Sequence, residues 1–335
     1  MFSAFRSSQA FAIDLGTNNT LVYQPSRGII LDEPTSIAFD SKRSSFFDCG
    51  ASSKRMWGKN PKHIEVMHPL SKGAIANLTV AKAYIKEVIA RITQSRFFKP
   101  TIVVSVPSDL NMMERNAVME ACKDGGAREV MLIKDPFSAA LGSAQSIERP
   151  KGVLVLDIGA GVSDISLLSC NGIVMSKTLR IAGNDIDEAI IEYFKAHKRI
   201  LISQNDAEIL KKELGNLFEI EEKMMKINVK NLISRLPESF LASSCDVHRA
   251  ILPLADKMVS LTHSMLSELP PSFAQDIYDQ GILLTGGSSM LQGLDRYISQ
   301  KLEIEVNLVE NPLQNIILGA GYALEEARYR PLFGA

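Results

Sequence analysis

Two aspartates, Asp14 and Asp157, occupy matching positions in two similar segments of this chain. The segments read FAIDLGTNNTLVY and VLVLDIGAGVSDISLL. Their separation along the sequence is close to half of the length of the chain, which has 335 residues. In each segment an apolar run enters Asp-x-Gly, and a second apolar run follows. Carboxylate oxygens are ligands that Mg²⁺ prefers, and this ion keeps several of its waters. A hydrated cation held by both aspartates would bridge phosphate groups, so the repeat predicts a paired phosphate site.

Small and hydroxyl-bearing residues follow each aspartate. Gly16, Gly159 and Gly161 allow positive φ angles and a close approach of the backbone to a ligand. Backbone N–H groups in such turns bind phosphate oxygens. An ordinary hairpin turn explains either segment alone, but its repetition at domain spacing favours a shared ligand site. The side chains that can donate further hydrogen bonds are Thr17, Asn18, Asn19 and Ser163.

Three further segments can complete a nucleotide site, and each also has a purely structural interpretation. LLTGGSSM (283–290) reads as a strand, two glycines and a helix start that favours phosphate, or as a plain strand-to-helix turn. Glu208, with Lys211 and Lys212 three and four positions later, can grip ribose hydroxyls or form solvated surface pairs. Asp135 begins a helix after a strand. It either stabilises the helix dipole or orients the water that attacks a γ-phosphate.

The elements around these residues follow from the hydrophobic pattern. The apolar stretches beside both aspartates have the length and β-branched content of buried strands, and the short turns between them make hairpins. Apolar positions at helical spacing predict a helix over 79–96, and TIVVSVP (101–107) predicts a buried strand that ends at proline. Ser108 or Asp109 would cap the next helix, which ends at a glycine pair. The strand EVMLI and a helix with proline in its first turn follow.

The second half repeats this organisation. Beyond the second hairpin the sequence predicts two helical segments, a mixed strand and loop region at 221–250, and further helices. The strand GILLT (281–285) and a final helix in NPLQNIILGAGYALEEAR complete the chain. A hairpin followed by alternating helices and strands therefore occurs twice. This order predicts an α/β protein with two related halves.

Composition restricts the function classes. The chain has 46% hydrophobic residues, 37 lysines and arginines, 38 acidic residues and a net charge of −1, which suits two ordinary domains and excludes a nucleic-acid partner. The cysteines and histidines show no metal-ligand spacing, and the scattered cysteines suit a reducing compartment. No apolar stretch approaches the ~20 residues that span a bilayer. We therefore expect a cytoplasmic protein.

The order of these motifs resembles the actin, heat-shock chaperone and sugar-kinase ATPase superfamily. Runs such as GIILDEPTSIA, GAREVMLIKDPFSAALG and PPSFAQDIYDQGILLTGG are similar to the MreB-type bacterial actins, the rod-shape-determining family, over essentially the whole chain. The resemblance implies an actin-like fold with two related ribonuclease H-like domains around a central nucleotide cleft. The helices in PFSAALGSA and NIILGAGYAL would cross at the hinge, where small residues allow close packing. Domain I would comprise 1–141 and 316–335, with a small insertion at about 32–69, and domain II would comprise 142–315, with an insertion at about 181–244.

The resemblance also implies roles for individual residues. Asp14 and Asp157 would hold Mg²⁺ through water. Asp135 and Ser163 would take the places of the family's water-positioning glutamate and threonine. The positions that bind ATP or ADP would lie in four regions. The first phosphate loop would contribute Gly16, Thr17, Asn18 and Asn19, and the second would contribute Gly159, Ala160, Gly161 and Val162. The nucleoside-binding helix would contribute Glu208, Lys211 and Lys212, and the loop beneath the adenosine would contribute Gly286, Gly287, Ser288 and Ser289.

Three departures from the family pattern predict slow hydrolysis. The second loop, GAGVS, has Ala160 and Val162 where the family has glycine and threonine. Asp135 is one methylene shorter than glutamate, so its carboxylate reaches roughly 1 Å less far, and misplacement on that scale can cost about a hundredfold in rate. LTGGSSM lacks a third glycine. We therefore expect nucleotide binding together with slow or regulatory ATP hydrolysis.

The family resemblance implies filaments of this chain that lie on the inner face of the cytoplasmic membrane and organise cell-wall synthesis. Shape-determining membrane proteins would be further partners. Phe97 and Phe98, between Arg96 and Lys99, match the family's membrane-inserting pair, with packing in the local core as the alternative. Two other functions stay open: a small-molecule (sugar-type) kinase of the same superfamily, and a scaffold paralogue with little hydrolysis.

Overall fold

The computed structural model covers most of the chain. Phe97 and Phe98 lie outside the described residues, so their contact with a membrane stays a prediction. No helix in the described part of the chain is both long and apolar enough to cross a membrane. The described residues are 10–43, 45–93, 99–218 and 221–334.

Strands and helices alternate along the described chain. The strands are β1 (Ala10–Leu15), β2 (Asn19–Gln24), β3 (Gly28–Pro34), β4 (Ile37–Asp40), β5 (Ser45–Cys49), β6 (Ile64–Met67), β7 (Leu70–Ser71), β8 (Ala74–Ile75), β9 (Thr101–Val106), β10 (Glu129–Lys134), β11 (Val153–Ile158), β12 (Ser163–Ser169), β13 (Gly172–Leu179), β14 (Ile200–Leu201), β15 (Met224–Asn231), β16 (Pro237–Ser243), β17 (Ile282–Thr285) and β18 (Val306–Leu308). The α-helices are α1 (Ala51–Met56), α2 (Leu78–Ile92), α3 (Met112–Asp124), α4 (Asp135–Gly142), α5 (Gly183–Tyr193), α6 (Gln204–Leu214), α7 (Ser244–Ser267), α8 (Ala274–Gln280), α9 (Leu294–Leu302) and α10 (Asn315–Glu325).

Two sheets with the same topology form the centres of the two halves. Within the described residues each has five strands, in the orders β10-β9-β1-β2-β3 and β18-β17-β11-β12-β13. In each sheet a central strand pairs antiparallel with the other strand of its hairpin and parallel with a strand that comes much later. Asp14 lies near the end of β1 and Asp157 near the end of β11, so the two aspartates are equivalent. The predicted α/β architecture of two related halves is confirmed.

Each half also carries a small sheet. The strands β5-β4-β6 form one in the first half, and β14-β15-β16 form one in the second. Helix α1 packs against the first small sheet, and α6 packs against β15 of the second. Strands β15 and β16 of the second small sheet arise from the segment 221–250, which was predicted to mix strand and loop.

Hydrophobic burial follows this arrangement. Strand β9, TIVVSV, is buried along its whole length, as its β-branched composition predicts. Helix α2 turns a stripe of apolar side chains at helical spacing toward the first sheet. A second cluster joins the second sheet to α5, α6, α7 and α9, and a third lies among α4, α10 and both sheets. Apolar packing therefore continues from one half of the molecule to the other.

Helices α4 and α10 cross in close contact, as their small residues predict. A Cβ atom at Gly319 would collide with the carbonyl oxygen of Ser138. The Asn315 side chain donates to the carbonyl oxygen of Ala139 at 2.9 Å and to Thr285 Oγ1 at 3.1 Å. Asn315 thus connects both helices to the second sheet. Beyond α10 the chain returns to the first sheet, where Gly334 pairs with β10.

Two helix boundaries differ from the sequence predictions. Helix α3 is capped by Asn111, through a capping box with Glu114, and the predicted caps Ser108 and Asp109 are wrong. Ser108 instead bonds to the second half of the molecule. The glycine pair after β17 leads into a short 3₁₀ turn, and α9 starts only at Leu294.

Candidate functional site

The two Asp-x-Gly segments form the same turn in the two halves. The N–H of Gly16 donates to the carbonyl of Asn19 at 3.1 Å, and the N–H of Gly159 donates to the carbonyl of Val162 at 2.9 Å. The predicted positive φ angles at Gly16, Gly159 and Gly161 are wrong. Gly16 is required for space, because a Cβ there would lie 2.7 Å from the carbonyl oxygen of Asn19, whereas a Cβ at Gly159 would lie 3.3 Å from the carbonyl oxygen of Val162. Close approach, rather than the left-handed conformation, explains the presence of Gly16.

Carboxylates gather between the two turns. Burial raises the pKa of Asp14 to about 7, and burial together with the charges of Asp164 and Asp14 raises the pKa of Asp157 to about 7. The pKa of Asp135 lies well above its ordinary value because the residue is buried, with further contributions from the charges of Asp14, Asp157 and Asp164. Like charges in a poorly solvated site disfavour ionisation. The cluster is therefore suited to a cation.

Two of these carboxylates fit a hydrated cation. The Oδ1 atoms of Asp135 and Asp157 are buried and accept no hydrogen bond. In the part of the chain that the structure describes, no group of three or more histidine, cysteine or acidic side chains forms a direct metal-binding set. Mg²⁺ commonly uses one or two carboxylates and keeps the rest of its shell as water and phosphate. The unpaired oxygen of Asp157 and the buried carboxylate of Asp14 therefore fit Mg²⁺ held through water.

The two Asp-x-Gly turns are held against each other by contacts that the sequence did not reveal. Asn18 and Asn184 exchange two side-chain hydrogen bonds, at 2.8 and 3.1 Å. The N–H of Asn184 also donates to the carbonyl of Ala160 at 2.8 Å. Asn184 at the start of α5 therefore connects the first loop to the second. Reciprocal amide pairing requires the tertiary fold, and no local signal identifies it.

The hairpin β7–β8 also reaches the second loop. Its two turn residues, Lys72 and Gly73, both have positive φ, and this Lys-Gly turn is a signal that sequence reasoning could have used. A Cβ at Gly161 would lie 3.0 Å from the backbone of Lys72 and 2.7 Å from Thr17 Oγ1. Val162 lies beside Gly73: a Cβ atom added at Gly73 would lie 3.3 Å from a side-chain carbon of Val162. The side chain of Val162 thus packs against the first half.

Gly286 is the glycine with the strictest requirement in the site. Its φ is +87° and its ψ is 157°, a conformation that is essentially restricted to glycine. A Cβ there would collide with Oδ1 of Asp157. The next residues complete a tight turn: Ser288 donates to the carbonyl of Gly159, and Ser289 donates to the carbonyl of Gly286, both at 2.6 Å. Gly287 leads into this 3₁₀ turn. The loop therefore lies directly against Asp157.

Replacing Gly286 by alanine should lower the free energy of unfolding by about 3 kcal/mol or more, because backbone strain and steric overlap add. Gly28→Ala is a matched control, since Gly28 also has positive φ (+75°) but no atom lies near its missing Cβ. The control should lose only about 1–2 kcal/mol. Chemical denaturation of both variants measures the difference. Equal losses would show that the contact with Asp157 is unimportant.

The helix predicted to bind the nucleoside is held by ion pairs. Lys211 Nζ lies 2.7 Å from Oδ1 of the buried Asp187 and donates to the carbonyl of Gly183 at 3.0 Å. Lys212 Nζ lies 2.6 Å from Glu208 Oε1. Lys211 therefore attaches α6 to the start of α5. Glu208 faces the opposite half, where Lys54 Nζ lies 3.2 Å from Glu208 Oε2.

The two residues predicted to position water differ in their surroundings. Asp135 begins α4 next to Pro136, as predicted, with its Oδ1 unpaired. Ser163 is fully buried and donates its hydroxyl hydrogen to the carbonyl of Ile181 at 2.7 Å. Its oxygen can therefore only accept a hydrogen bond from another group.

A buried polar network beside them connects the halves. Asp164 accepts hydrogen bonds from Ser108 Oγ at 2.5 Å, from Ser176 Oγ at 3.1 Å and from Ser166 Oγ at 3.2 Å. Ser108 follows β9 of the first sheet, whereas the other three residues belong to β12 and β13 of the second. The carboxylate of Asp164 thus joins the two halves at a position close to Asp157.

Comparison with known proteins identifies the family. The family model described as MreB/Mbl protein matches residues 8–330. The chain belongs to the MreB/Mbl family. The cell shape-determining protein MreB of Pasteurella multocida is 35% identical over 95% of this chain and 93% of its own length. MreB of Escherichia coli strain K12 is 34% identical over 97% of this chain and 96% of its own length. The chain is therefore a bacterial actin homologue of the cell-shape type, as the sequence predicted.

Solved structures of similar proteins have the same fold. MreB5 of Spiroplasma citri bound to ADP has a TM-score of 0.92 and 29% identity, covering 97% of this chain and 98% of that chain. The same protein bound to AMPPNP has a TM-score of 0.90 and 29% identity, and the match covers 95% of this chain and 96% of that chain. A MamK double helical filament, at 20% identity, has a TM-score of 0.80 and covers 95% of this chain and 99% of that chain. The predicted actin-like fold is confirmed.

Proposed function

We propose that this protein binds ATP or ADP with Mg²⁺ between its two halves and assembles into filaments that help to set cell shape. The observation that carries the proposal is the pair of equivalent turns with Asp14 and Asp157, whose raised pKa values suit a cation. The MreB5 relative, which has been captured with ADP and with AMPPNP, supports a nucleotide as the ligand. MreB/Mbl membership supports self-assembly and the cell-shape role.

The residues around the turns have separate tasks in this proposal. Bound Mg²⁺ supplies charge that neutralises phosphate oxygens. Asp14 and Asp157 hold its waters, and backbone N–H groups of both loops donate to the phosphates. Glu208 accepts hydrogen bonds from ribose hydroxyls, while the turn at Gly286 lies beneath the nucleoside. Asp135 orients the attacking water, and hydrolysis is slow because its side chain is short.

The two sheets are the cores of two domains in this proposal, with the boundaries given by the family resemblance: 1–141 with 316–335, and 142–315. The close crossing of α4 and α10 supports it, because this crossing packs the last helix onto the first half. Filaments lie on the inner face of the cytoplasmic membrane, where Phe97 and Phe98 insert. Cell-wall synthesis proteins and shape-determining membrane proteins bind there.

Sedimentation of the purified chain tests the proposal. The chain should pellet with Mg²⁺ and ATP, remain in the supernatant when EDTA replaces Mg²⁺, and form filaments in electron micrographs. Adding liposomes should increase the pelleted fraction for wild type and not for a Phe97→Ala/Phe98→Ala variant. Phosphorylation of common sugars, measured in the same preparations, provides the control for the kinase alternative. Sugar phosphorylation without pelleting would contradict the proposal.

A further inference from the structure

One ion pair connects the small-sheet regions of the two halves. Lys54 on α1 lies beside β4, β5 and β6, whereas Glu208 on α6 packs beside β15. Their charged atoms, Lys54 Nζ and Glu208 Oε2, are 3.2 Å apart across 154 residues of sequence. The other contacts between the halves described above involve the two Asp-x-Gly turns, Asp164 and the crossing of α4 and α10. This pair is therefore a separate connection, and it ends on a residue that the proposed function assigns to the nucleoside.

The surroundings of Glu208 favour a lasting contact. The carboxylate is 22% exposed, and its two oxygens are occupied by Lys54 and Lys212. Burial alone raises the pKa of Glu208, but the hydrogen bond from Lys212 and the charges of Lys54 and Lys212 lower it to about 2. Glu208 thus stays ionised at every physiological pH. A carboxylate has about four acceptor sites, so it can hold both lysines and still accept from a ligand hydroxyl.

His68, whose pKa is affected by Lys54, contacts Trp57 at the end of α1. His68 stacks on Trp57 with ring centroids 4.9 Å apart, and His68 Nδ1 lies 2.6 Å from the carbonyl oxygen of Thr35. Burial lowers the pKa of His68 and the charge of Lys54 lowers it further, against the opposing effects of the Thr35 hydrogen bond and the charge of Glu208. The histidine therefore does not compete with Lys54 for the carboxylate. Because Trp57 is the single tryptophan of the chain, its fluorescence reports on this side of the contact.

We propose that Lys54 and Glu208 form a clasp that closes the two halves over a bound nucleotide and limits the rate at which the nucleotide leaves. The inference rests on the proposed nucleotide site. Lys54 acts through Glu208 and through the position of α1, so it is a positioning residue. Opening the clasp lets the small sheets separate while both phosphate loops stay intact.

The effect of the clasp should be moderate and sensitive to salt. Partly exposed ion pairs contribute little individually, so Lys54→Met should speed ADP release about fivefold. Lys54→Glu places two carboxylates opposite each other and should speed it about tenfold or more. High salt screens partly exposed charges. ADP release from wild type should therefore quicken with added salt, and release from Lys54→Met should respond less.

Release of radiolabelled ADP, chased with excess unlabelled ADP in Mg²⁺ at protein concentrations below assembly, measures the rate. Arg55→Met is the matched control, because the neighbouring Arg55 on α1 donates within its own helix to Ser52 Oγ. Lys54→Arg, which keeps the charge, should release ADP nearly as slowly as wild type. Trp57 emission should change in Lys54→Met and stay unchanged in Arg55→Met.

The outcomes separate the clasp from the nucleotide site itself. Faster release in Lys54→Met and Lys54→Glu, with Arg55→Met like wild type, would support the clasp. Unchanged release in both Lys54 variants, or equal acceleration in the Arg55 control, would overturn it and leave nucleotide binding standing. A wild-type chain that retains no ADP would overturn the proposed function and the clasp together.

Discussion

Replacing Asp135 by glutamate should speed phosphate release from ATP by about a hundredfold. The aspartate begins α4, and one of its oxygens is buried without a hydrogen-bond partner. The family resemblance implies a glutamate at this position, whose carboxylate would reach roughly 1 Å further. Displacement of a water-orienting group on that scale accounts for about two orders of magnitude in rate. The longer side chain should bring the carboxylate to the attacking water.

The protonation state of Asp135 reinforces this expectation. Burial and three neighbouring carboxylates hold the pKa of Asp135 well above its ordinary value, which disfavours the charged carboxylate in the cation-free protein. A bound cation offsets those neighbouring charges and lowers the pKa. The glutamate variant should therefore gain rate only when Mg²⁺ is present.

Single-turnover phosphate release with Mg²⁺ and ATP measures the effect. Asp135→Asn is the control of similar size, and it should be slower than wild type because an amide cannot accept a proton. ADP affinity should be similar in all three proteins, since Asp135 is not assigned to nucleotide binding. Equal and rapid release by wild type and Asp135→Glu would contradict the prediction, because the shorter side chain would then be no obstacle.

The features that sequence could predict are those encoded by local pattern. Strand β9 and helix α2 follow from β-branched runs and helical spacing, and the two hairpins follow from the repeated Asp-x-Gly segments. The equivalence of Asp14 and Asp157 also follows from that repeat, because equal segments fold into equal turns. Family resemblance supplied the fold and the cell-shape role.

The features that sequence could not predict depend on contacts between distant segments. The pairing of Asn18 with Asn184 and the pairing of Lys54 with Glu208 join residues more than 150 positions apart. Ser108 was predicted as a helix cap, yet its hydroxyl bonds to Asp164 in the other half. Side chains that can satisfy either a local or a distant partner are not decided by local spacing. The need for glycine at position 161 was missed for a similar reason, since the crowding there comes from Thr17 and Lys72 of the other half.

In the presence of Mg²⁺ at pH 8, Asp157→Asn should bind ADP about 10- to 100-fold more weakly than wild type. Groups that hold a metal through its waters typically contribute that much to metal affinity. An amide has one carbonyl oxygen and no charge, so it holds the hydrated cation less well. With EDTA in place of Mg²⁺ the variant should bind ADP no more weakly than wild type, because a buried negative charge near the phosphates has been removed.

The wild-type response to pH follows from the same carboxylates. Burial raises the pKa of Asp14 and Asp157 from 3.8 to about 7. Between these values the cation-free folded chain binds more protons than the unfolded chain, so its free energy of unfolding falls as the pH rises through this range. Below pH ~7, Mg²⁺ must displace these protons, and each one displaced costs about tenfold in affinity per pH unit. The gain in ADP affinity from Mg²⁺ should therefore shrink from pH 8 to pH 6.

Titration of ADP with and without Mg²⁺ across this pH range checks both parts. Asp157→Asn lacks one of the two titrating carboxylates, so its smaller Mg²⁺ gain should also vary less steeply with pH. Asp109→Asn is the matched control, since Asp109 pairs with Arg180 at 3.4 Å and has no part in the cation site. The control should keep the wild-type Mg²⁺ gain and its pH slope. If Asp157→Asn also kept the wild-type Mg²⁺ gain and its pH slope, the cation would be held elsewhere. The equivalence of the two turns would then be a remnant of duplication without a shared ligand.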